Sequence, residues 1–489
     1  MFGVSAEATP NKIQKQKAEY QIFKTDYDRY ENGGDTVDNK LANNIRRSVT
    51  LDRTKCIGCT NCIRHCPTRA IRVRGGKARI IDSRCIDCGE CIRICSQHAK
   101  MPIFDEIESI FDGRYKHIVA MPAPSLFAQF NNLDTPEYVI AGLLNMGFDS
   151  VFEVSKAAEI VSDYTRKYIQ RKDIKKPVIS SACPAVVRLI QVRFPELCDH
   201  VLPVLTPVEL AAKLAKQEIM KKTGLREEEI CCAFISPCPA KNTAAKAPVF
   251  IENSGIDAVL SMNKVYMQLV KIMTRDDFDD INVESGIIGI SWAITGGEAS
   301  ALLNDQYLAA DGIENVINVL DEIENNGLGY LDFVELNACT GGCVGGVLTV
   351  VNPFVAKARI KNLRKFMPVA KNFYDGENPV HAKILSENEL EAKPFKSLSD
   401  DPISAMEKWM QIEEITKSLP GFDCGSCGAP TCQTQAEDIV LGYGRISDCI
   451  FYLDREKSGL LKSRVQKKLR KHKIGPDHGI DSRFSDDDK

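Results

Sequence analysis

The stretch Glu335-Leu-Asn-Ala-Cys339-Thr-Gly-Gly-Cys343-Val-Gly-Gly346 places two cysteines among paired glycines at the end of an apolar segment, LDFVEL. Apolar segments of this length are typical of buried β-strands, and open α/β sheets bind ligands beyond the carboxyl ends of their strands. Glycines on both sides of Cys343 predict a backbone that lies close to a bulky inorganic group. We therefore expect a strand that carries two thiols to a site at one edge of a sheet.

Two loops upstream show the same arrangement of an apolar segment followed by a cysteine. The stretches Val178-Ile-Ser-Ser-Ala-Cys183-Pro184 and Phe234-Ile-Ser-Pro-Cys238-Pro-Ala-Lys241 each place a cysteine just beyond an apolar segment. Four thiolates from three loops are enough to hold one iron–sulfur cubane. The candidate ligands are Cys183, Cys238, Cys339 and Cys343.

Around these loops, strand-like segments alternate with amphipathic helical stretches. The strand-like segments are HIVAMPAP, KPVIS, ICCAFIS, SGIIGIS and LDFVEL, and helical periodicity marks residues 207–222 and 312–325. This alternation predicts an α/β domain over residues 105–375. The polar, proline-containing segment that follows, 376–405, predicts a linker.

A doubled cysteine pattern lies upstream, within residues 51–104. Cys56-Ile-Gly-Cys59-Thr-Asn-Cys62-Ile-Arg-His-Cys66-Pro67 is the run typical of bacterial ferredoxins, and a second copy follows it. Three thiolates on one loop cap three corners of a cubane, but the chain then leaves as a helix, so the fourth ligand must come from the other copy. The pattern predicts a 2[4Fe-4S] ferredoxin-like α+β domain, with zinc as the alternative metal. One cluster is assigned to Cys56, Cys59, Cys62 and Cys95, and the other to Cys85, Cys88, Cys91 and Cys66.

A third cysteine-rich segment lies near the C-terminus. The stretch Leu419-Pro-Gly-Phe-Asp-Cys424-Gly-Ser-Cys427-Gly-Ala-Pro-Thr-Cys432, followed by Cys449, resembles the four-cysteine module of corrinoid iron–sulfur proteins and RnfB-type electron-transfer subunits. It predicts a small [4Fe-4S] domain over residues 406–453. Zinc again remains the alternative, because four thiolates alone do not decide the metal.

Composition excludes several other classes of protein. The 489 residues carry a net charge of -3, whereas nucleic-acid binders usually present a basic face. No apolar run reaches the roughly 18 residues of a membrane span, and the N-terminus lacks the apolar region of a secretory signal. Clusters among the 19 cysteines indicate metal centres in a reducing, anaerobic environment rather than a disulfide framework. We therefore expect a cytoplasmic protein.

The three central loops together resemble the signatures of [FeFe]-hydrogenases, TSCCP, PCxxK and ExxACxxGCxGG, in the order in which that family has them. The resemblance covers about residues 105–350 and implies an H-cluster, a [4Fe-4S] cubane joined through a cysteine to a two-iron unit with CO, cyanide and a bridging dithiolate. It implies Cys343 as the bridging cysteine and Lys241 as the donor to one cyanide. Pro124 and Ser125, in an APS stretch, resemble the cradle of the other cyanide.

Several residues depart from the usual family pattern. Ala182 replaces the cysteine that donates a proton to the bridging amine, and Ser236 and Asn337 replace two methionines of the signatures. The stretch 159–164, EIVSDY, stands in place of the usual acidic path. These departures resemble the sensory (HydS-like, group C/D) branch of the family. They imply reversible, slow H2 oxidation and proton reduction with a sensory or regulatory role.

Two alternative functions remain open from the sequence. The chain could be the catalytic hydrogenase subunit of a larger ferredoxin- or NAD-linked complex, or a Narf-like iron–sulfur scaffold or electron carrier without enzymatic activity. The hydrogenase interpretation implies H2 and protons as substrates, a redox partner such as ferredoxin or a signalling subunit, and maturation proteins. A polar helical arm (1–50) and a basic, then acidic, tail (454–489) complete the predicted layout.

Overall fold

The computed structural model of the protein describes residues 47–131, 133–273, 281–394 and 398–452. The predicted N-terminal arm lies outside these residues except for positions 47–50, and the predicted tail lies wholly outside them. Across the described ranges, no helix combines the length and the apolar character needed to cross a bilayer.

The ferredoxin-like part contains two copies of a loop followed by a one-turn helix. A residue in the left-handed conformation precedes each helix, Thr60 (φ 64°) in the first copy and Gly89 (φ 82°) in the second. Two antiparallel strand pairs, β1–β4 and β2–β3, frame the copies. Its elements are β1 (Val49–Leu51), α1 (Asn61–Arg64), β2 (Ile71–Arg74), β3 (Lys77–Ile80), α2 (Glu90–Arg93) and β4 (Lys100–Pro102).

This part begins before the predicted boundary at residue 51. Strand β1 starts at Val49, and Arg47 and Ser48 ahead of it are buried. The backbone N–H of Ser48 donates to the carboxylate of Asp87 (3.1 Å), so the chain is already fixed there.

The central part is an α/β domain with two parallel sheets, as the alternation of segments predicts. One sheet has the strand order β6-β5-β8-β9 and the other has the order β10-β11-β7. Its strands are β5 (His117–Pro122), β6 (Ser150–Val151), β7 (Val178–Ile179), β8 (Ile230–Ser236), β9 (Ala258–Ser261), β10 (Tyr307–Asp311) and β11 (Phe333–Asn337). Its helices are α3 (Glu137–Asn145), α4 (Val154–Tyr168), α5 (Pro184–Arg193), α6 (Pro207–Thr223), α7 (Pro239–Lys246), α8 (Met262–Ile272), α9 (Ile287–Ser291), α10 (Gly297–Ser300), α11 (Ile313–Glu324) and α12 (Pro353–Leu363).

Two apolar cores support these sheets. The larger core surrounds the four-stranded sheet, in which every residue of β8 is buried, as expected of a central parallel strand. The smaller core lies between the three-stranded sheet and the helices α5 and α11. The loops that leave β7, β8 and β11 therefore start from rigid, buried strand ends.

The segment SGIIGIS, which the sequence predicts as a strand, is helical over α9. An apolar run of this length does not distinguish a buried strand from a buried helix by its periodicity. The reason for the helix is packing: a Cβ at Gly289 would lie 2.2 Å from the carbonyl oxygen of Ser155 in α4. The glycine thus allows α9 to pack directly on the backbone of α4.

Residues 376–393, assigned to a linker from the sequence, are bonded to the central domain. The backbone N–H of Leu205 donates to the carbonyl of Ile384 (2.9 Å), and that of Lys393 donates to the carbonyl of Gln191 (2.8 Å). These bonds extend the α/β domain beyond residue 375, so the flexible connection expected there is shorter than predicted.

The C-terminal module consists of α13 (Pro402–Ser418), a loop with two cysteines, and α14 (Cys432–Val440), which begins at a third. It lies against β2 of the ferredoxin-like part, where the backbone N–H of Val73 donates to the carbonyl of Gly428 (2.8 Å). Gly428 has φ +83°, and a Cβ there would lie 1.8 Å from the carbonyl oxygen of Val73. Only glycine fits this contact.

We expect Gly428→Ala to weaken the attachment of the C-terminal module. The left-handed conformation costs an alanine about 1–2 kcal/mol, and the overlap with Val73 adds about 1–3 kcal/mol more. Gly421→Ala is the matched control, because Gly421 also has a positive φ (+74°) but has no atom within 4 Å of its Cβ position. Thermal unfolding and proteolytic release of the module measure the effect. Equal losses in the two variants would contradict the proposed contact.

Candidate functional site

The three cysteine loops of the central domain meet at the carboxyl ends of their strands. Cys183 follows β7 and caps the N-terminus of α5, and Cys238 follows β8 and caps the N-terminus of α7. In both helices a proline occupies the first position, where a missing N–H costs nothing. A thiolate at such a position faces the positive end of the helix dipole. The local sequence Cys-Pro therefore builds both thiol positions in the same way.

The structure brings the four predicted thiols together. Burial, together with the neighbouring thiol of Cys238, raises the pKa of Cys343 to about 12. Burial likewise raises the pKa of Cys238 to about 11, with Cys183 next in effect, and that of Cys339 well above its usual value. Four neighbouring, partly buried thiols that disfavour one another's charge form a site suited to a cation-rich group.

Lys241 lies beside these thiols, as the motif predicts. Its Nζ donates to the carbonyl of Ala182 (2.9 Å), and its charge lowers the pKa of Cys238 and Cys343 against the larger effect of burial. Lys241 therefore joins the first two loops and offers a cation to the same cavity.

The APS stretch contributes a polar atom that lacks a partner. Pro124 begins a 3₁₀ helix just beyond β5, and Ser125 is fully buried. Among the residues that the structure describes, no group hydrogen-bonds to the Ser125 hydroxyl. Buried hydroxyls are rarely left unsatisfied, so this atom fits a site that receives a polar ligand. Thiols, lysine and hydroxyl together fit the donor set expected for an H-cluster.

The glycines of the third loop allow close approaches between backbone segments. A Cβ at Gly346 would lie 2.5 Å from the carbonyl oxygen of Pro237, in the loop of Cys238, and one at Gly345 would lie 2.0 Å from that of Thr340, within the third loop itself. Gly346 therefore allows the second and third cysteine loops to pack directly on each other. The predicted close approach of this backbone to an inorganic group stays a prediction.

Two buried carboxyls near Ala182, those of Glu298 and Glu335, were not predicted from the sequence as site residues. Ser180 Oγ donates to Glu298 (2.6 Å) and accepts from the backbone N–H of Ala182 (3.1 Å). Burial, with the nearby charge of Glu335, raises the pKa of Glu298 to about 8. Glu335 is the glutamate of the third motif, and it accepts from the backbone N–H of Ala299 (2.8 Å). The motif position was a signal for Glu335, but nothing local in the sequence marks Glu298.

The remaining departures from the family pattern also have local partners. Ser236 Oγ donates to the carbonyl of Cys238 (2.9 Å), and the side chain of Asn337 donates to Glu335 (2.7 Å). Glu159 accepts from the backbone N–H groups of Gly286 (2.6 Å) and Lys371 (2.9 Å), so its carboxylate anchors two loops.

The ferredoxin-like cysteines group as the sequence predicts. Burial raises the pKa of Cys62 to about 11, and the thiols that disfavour its charge are those of Cys59, Cys56 and Cys95. Burial also raises the pKa of Cys85 and Cys88, whose interacting thiols include Cys66 and Cys91. Each set thus draws its fourth thiol from the other copy of the repeat, although the role of these thiols as ligands stays a prediction.

The four C-terminal cysteines line one small cavity together. Burial raises the pKa of Cys427, and the thiols of Cys449 and Cys424 act in the same direction. Across the described ranges, no three His, Cys, Asp or Glu side chains stand close enough to hold a single metal ion.

Three cysteines and two histidines lie outside these sets. Cys231 and Cys232 are fully buried in β8, as predicted for core thiols, and Cys198 is buried in the smaller core. His65 and His98 are exposed next to cluster cysteines. None of the five joins a thiol set.

A buried lysine lies between the two ferredoxin-like sets. Lys100 is 3% exposed, and its Nζ has no hydrogen-bond partner among the described residues. Burial raises the pKa of Cys62 and Cys91, and the charge of Lys100 opposes the rise in both. The ammonium group of Lys100 therefore lowers the pKa of thiols in both sets.

Comparison with known proteins agrees with this arrangement. A model of the iron-only hydrogenase large subunit, C-terminal domain, matches residues 116–304 and 294–347. A 4Fe-4S dicluster domain matches residues 48–96, and an Fe-S cluster model matches 419–451.

Curated relatives match over most of the chain. Iron hydrogenase 1 of Clostridium pasteurianum is 24% identical over 428 residues, which are 73% of this chain and 74% of that protein. The large subunit of the periplasmic [Fe] hydrogenase of Nitratidesulfovibrio vulgaris is 26% identical over 400 residues, 69% of this chain and 94% of that protein. A solved variant of [FeFe]-hydrogenase HydA1 from Chlamydomonas reinhardtii has a TM-score of 0.43 and 16% identity, covering 58% of this chain and 96% of that one.

The fold and the three cysteine-rich parts define a multi-cluster iron–sulfur protein with an α/β domain at its centre. More narrowly, the central domain matches the iron-only hydrogenase large-subunit family, and the curated relatives that match over most of the chain are iron hydrogenases.

We expect Lys100→Met to lower the midpoint potentials of the ferredoxin-like clusters. Reduction adds negative charge, which the buried ammonium stabilises, and a lost attraction of about 1.4 kcal/mol corresponds to about 59 mV for one electron. Lys55→Met is the control, because that side chain is 54% exposed and solvent screens its charge. Redox titration followed by electron paramagnetic resonance (EPR) measures both. Unchanged potentials in Lys100→Met would contradict the assigned role.

Proposed function

We propose that the chain is a [FeFe]-hydrogenase that interconverts H2 with protons and electrons slowly, in a sensory or regulatory role. The observation that carries this proposal is the arrangement at the strand ends, where Lys241 acts on the thiols of Cys238 and Cys343 and the buried hydroxyl of Ser125 has no partner among the described residues. A plain cubane needs the thiols alone. The lysine and the serine suit polar ligands beyond the cubane.

The H-cluster would be held by residues of this site. Cys183, Cys238, Cys339 and Cys343 would bind the cubane, with Cys343 also tethering the two-iron unit. Lys241 and Ser125 would donate hydrogen bonds to the two cyanides, and Pro124 would shape the cradle around Ser125. When bound, the cluster supplies the metal centre at which H2 is cleaved or formed. Three accessory [4Fe-4S] clusters would relay the electrons.

Proton delivery has to avoid position 182, because the methyl group of Ala182 has no proton to give. The nearest buried acid is Glu298, which retains a proton at neutral pH because burial raises its pKa to about 8. Its carboxyl is bonded to Ser180 (2.6 Å), and Ser180 in turn is bonded to the backbone of Ala182. Glu298 and Ser180 therefore place a proton-bearing group behind the loop of Cys183, and a proton from Glu298 would have to travel on through water. A longer route favours slow turnover.

A second candidate function is a catalytic subunit within a larger complex. The relative that favours it is the NADP-reducing hydrogenase subunit HndD of Solidesulfovibrio fructosivorans, 24% identical over 358 residues, 61% of this chain and 56% of that protein. Copurification with flavin- or nicotinamide-binding subunits would favour this function over the sensory one. A Narf-like scaffold has no comparable support, because Lys241 and Ser125 would lack a purpose in it.

The partners follow from the proposed reaction. We expect H2 and protons as substrates, a ferredoxin or a signalling subunit as redox partner, and maturation proteins that install the two-iron unit. The cytoplasmic location stays a prediction, and the relative from Nitratidesulfovibrio vulgaris is named as periplasmic.

Infrared spectroscopy of the matured protein tests the proposed cofactor. We expect CO and cyanide bands, and we expect Cys343→Ser to lose them because the bridging thiolate is the tether of the two-iron unit. Cys232→Ser should retain the bands, since Cys232 lies within β8 and its thiol donates to the carbonyl of Ala212 (3.7 Å). Bands that persist in Cys343→Ser would overturn the motif assignment, and a matured protein without bands would overturn the hydrogenase proposal.

H2 evolution from reduced methyl viologen tests the slow turnover and its proton route. We expect a rate about 10²–10⁴-fold below that of a relative with cysteine at position 182, and a similar further loss in Glu298→Gln. The rate should also fall as the pH rises through about 8, where Glu298 loses its proton. The control is Glu228→Gln, an exposed carboxylate paired with Arg226. A rate equal to that of conventional hydrogenases would rule out the slow reaction.

A further inference from the structure

The C-terminal module is attached to the ferredoxin-like part by a buried ionic contact. Arg72 Nε donates to Asp438 Oδ2 (2.7 Å), and Arg74 Nη2 donates to the same oxygen (2.8 Å). Arg72 and Asp438 are 6% and 5% exposed. One carboxylate thus pairs with two arginines of β2, and a contact of this kind fixes the position of the module.

The cysteine loop of the module faces one particular side of the ferredoxin-like part. Arg64 donates to the carbonyl of Cys424, and Arg74 Nη1 donates to that of Cys427 (2.6 Å). Arg64 ends the one-turn helix that contains Cys62. The C-terminal thiols are therefore joined by single side chains to α1 and to β2.

The hairpin that carries Arg74 also holds Cys56. The backbone N–H of Ala78 in β3 donates to the Sγ of Cys56 (3.4 Å), and Lys77 Nζ donates to its carbonyl (2.6 Å). Cys56 and Cys62 belong to the same predicted set, together with Cys59 and Cys95. The cysteine loop of the C-terminal module thus lies against the side of the domain that holds this set, whereas Glu437 of α14 pairs with Arg84, next to Cys85 of the other set.

The other set faces the central domain. Cys88 packs into the smaller core together with Cys183 and Cys238. Arg93 of α2 donates to the carbonyl of Gly345 (2.8 Å) in the third cysteine loop, and its charge reaches the thiol of Cys339. The Cys66, Cys85, Cys88 and Cys91 set is therefore the one next to the central cubane site.

We propose that the four clusters form a single unbranched line, with the C-terminal cluster at its outer end and the Cys56 set as its nearest neighbour. The proposal deepens the proposed function and rests on its cluster assignments. Each step moves one electron, so that one cubane passes from the 1+ to the 2+ state while the next passes from 2+ to 1+. Oxidation of one H2 releases two protons and sends two electrons along the line to two equivalents of a one-electron carrier.

Pulsed EPR of the dithionite-reduced full-length chain, prepared without the two-iron unit, tests the order of the line. Single variants remove one cluster each and identify its signal: Cys427→Ser, Cys59→Ser, Cys88→Ser and Cys339→Ser. Neighbouring spins speed each other's relaxation. We expect Cys427→Ser to slow the relaxation of the Cys56-set cluster and to leave the central cubane unchanged. Cys339→Ser should slow the Cys66-set cluster and leave the C-terminal cluster unchanged.

A docking variant provides a second measurement that keeps every cluster ligand. Asp438→Ala removes the carboxylate that pairs with the buried Arg72 and the partly buried Arg74, so we expect slower relaxation of the C-terminal cluster with an unchanged iron content. The control is Asp112→Ala, which breaks an exposed pair with Arg114. The proposed order would be wrong if the relaxation of the C-terminal cluster changed in Cys339→Ser. It would also be wrong if that relaxation stayed the same in both Cys59→Ser and Asp438→Ala. Because no H2 chemistry is involved, a failed infrared test for the H-cluster leaves this result unaffected.

Discussion

The arrangement depends on one electrostatic constraint: many sulfur charges must be held in an interior that disfavours charge. Burial raises the pKa of Cys238 to about 11 and that of Cys343 to about 12, so these thiols keep their protons until a metal displaces them. The cations near the thiols favour the negative charge of the sulfurs and so partly offset the effect of burial. Lys241 serves the central set and Lys100 serves both ferredoxin-like sets. Loading with iron is therefore coupled to the release of protons and to the stability of the loops.

In the same site, the residues that would bind the cofactor differ from those that would supply protons for fast turnover. Thiols, Lys241 and Ser125 determine what is held, and none of them depends on the side chain at position 182. Proton supply is a separate function, and in this chain the acid nearest to Ala182 is Glu298, one serine away. Glu159 cannot take that role while it accepts four hydrogen bonds from neighbouring loops. The two properties can thus vary independently within one fold.

Much of the fold followed from spacing. The α/β class, the ferredoxin-like part and the small C-terminal module were predicted and are confirmed, because cysteine spacing and strand-like runs are local signals. The strand predicted over 285–291 was wrong, since the packing of Gly289 on Ser155 is not visible in the sequence. Glu298 and Lys100 were missed for a similar reason. Their significance comes from neighbours far away along the chain.

The contact between Arg72 and Asp438 joins residues 366 positions apart. During synthesis the ferredoxin-like part leaves the ribosome before the C-terminal module, and domains generally fold as they emerge. Its two arginines then stay exposed to water until the segment around residue 438 has been made. A chain that stops before residue 438 leaves a charged, unmatched surface beside the Cys56 set. The contact can therefore form only after translation has passed residue 438.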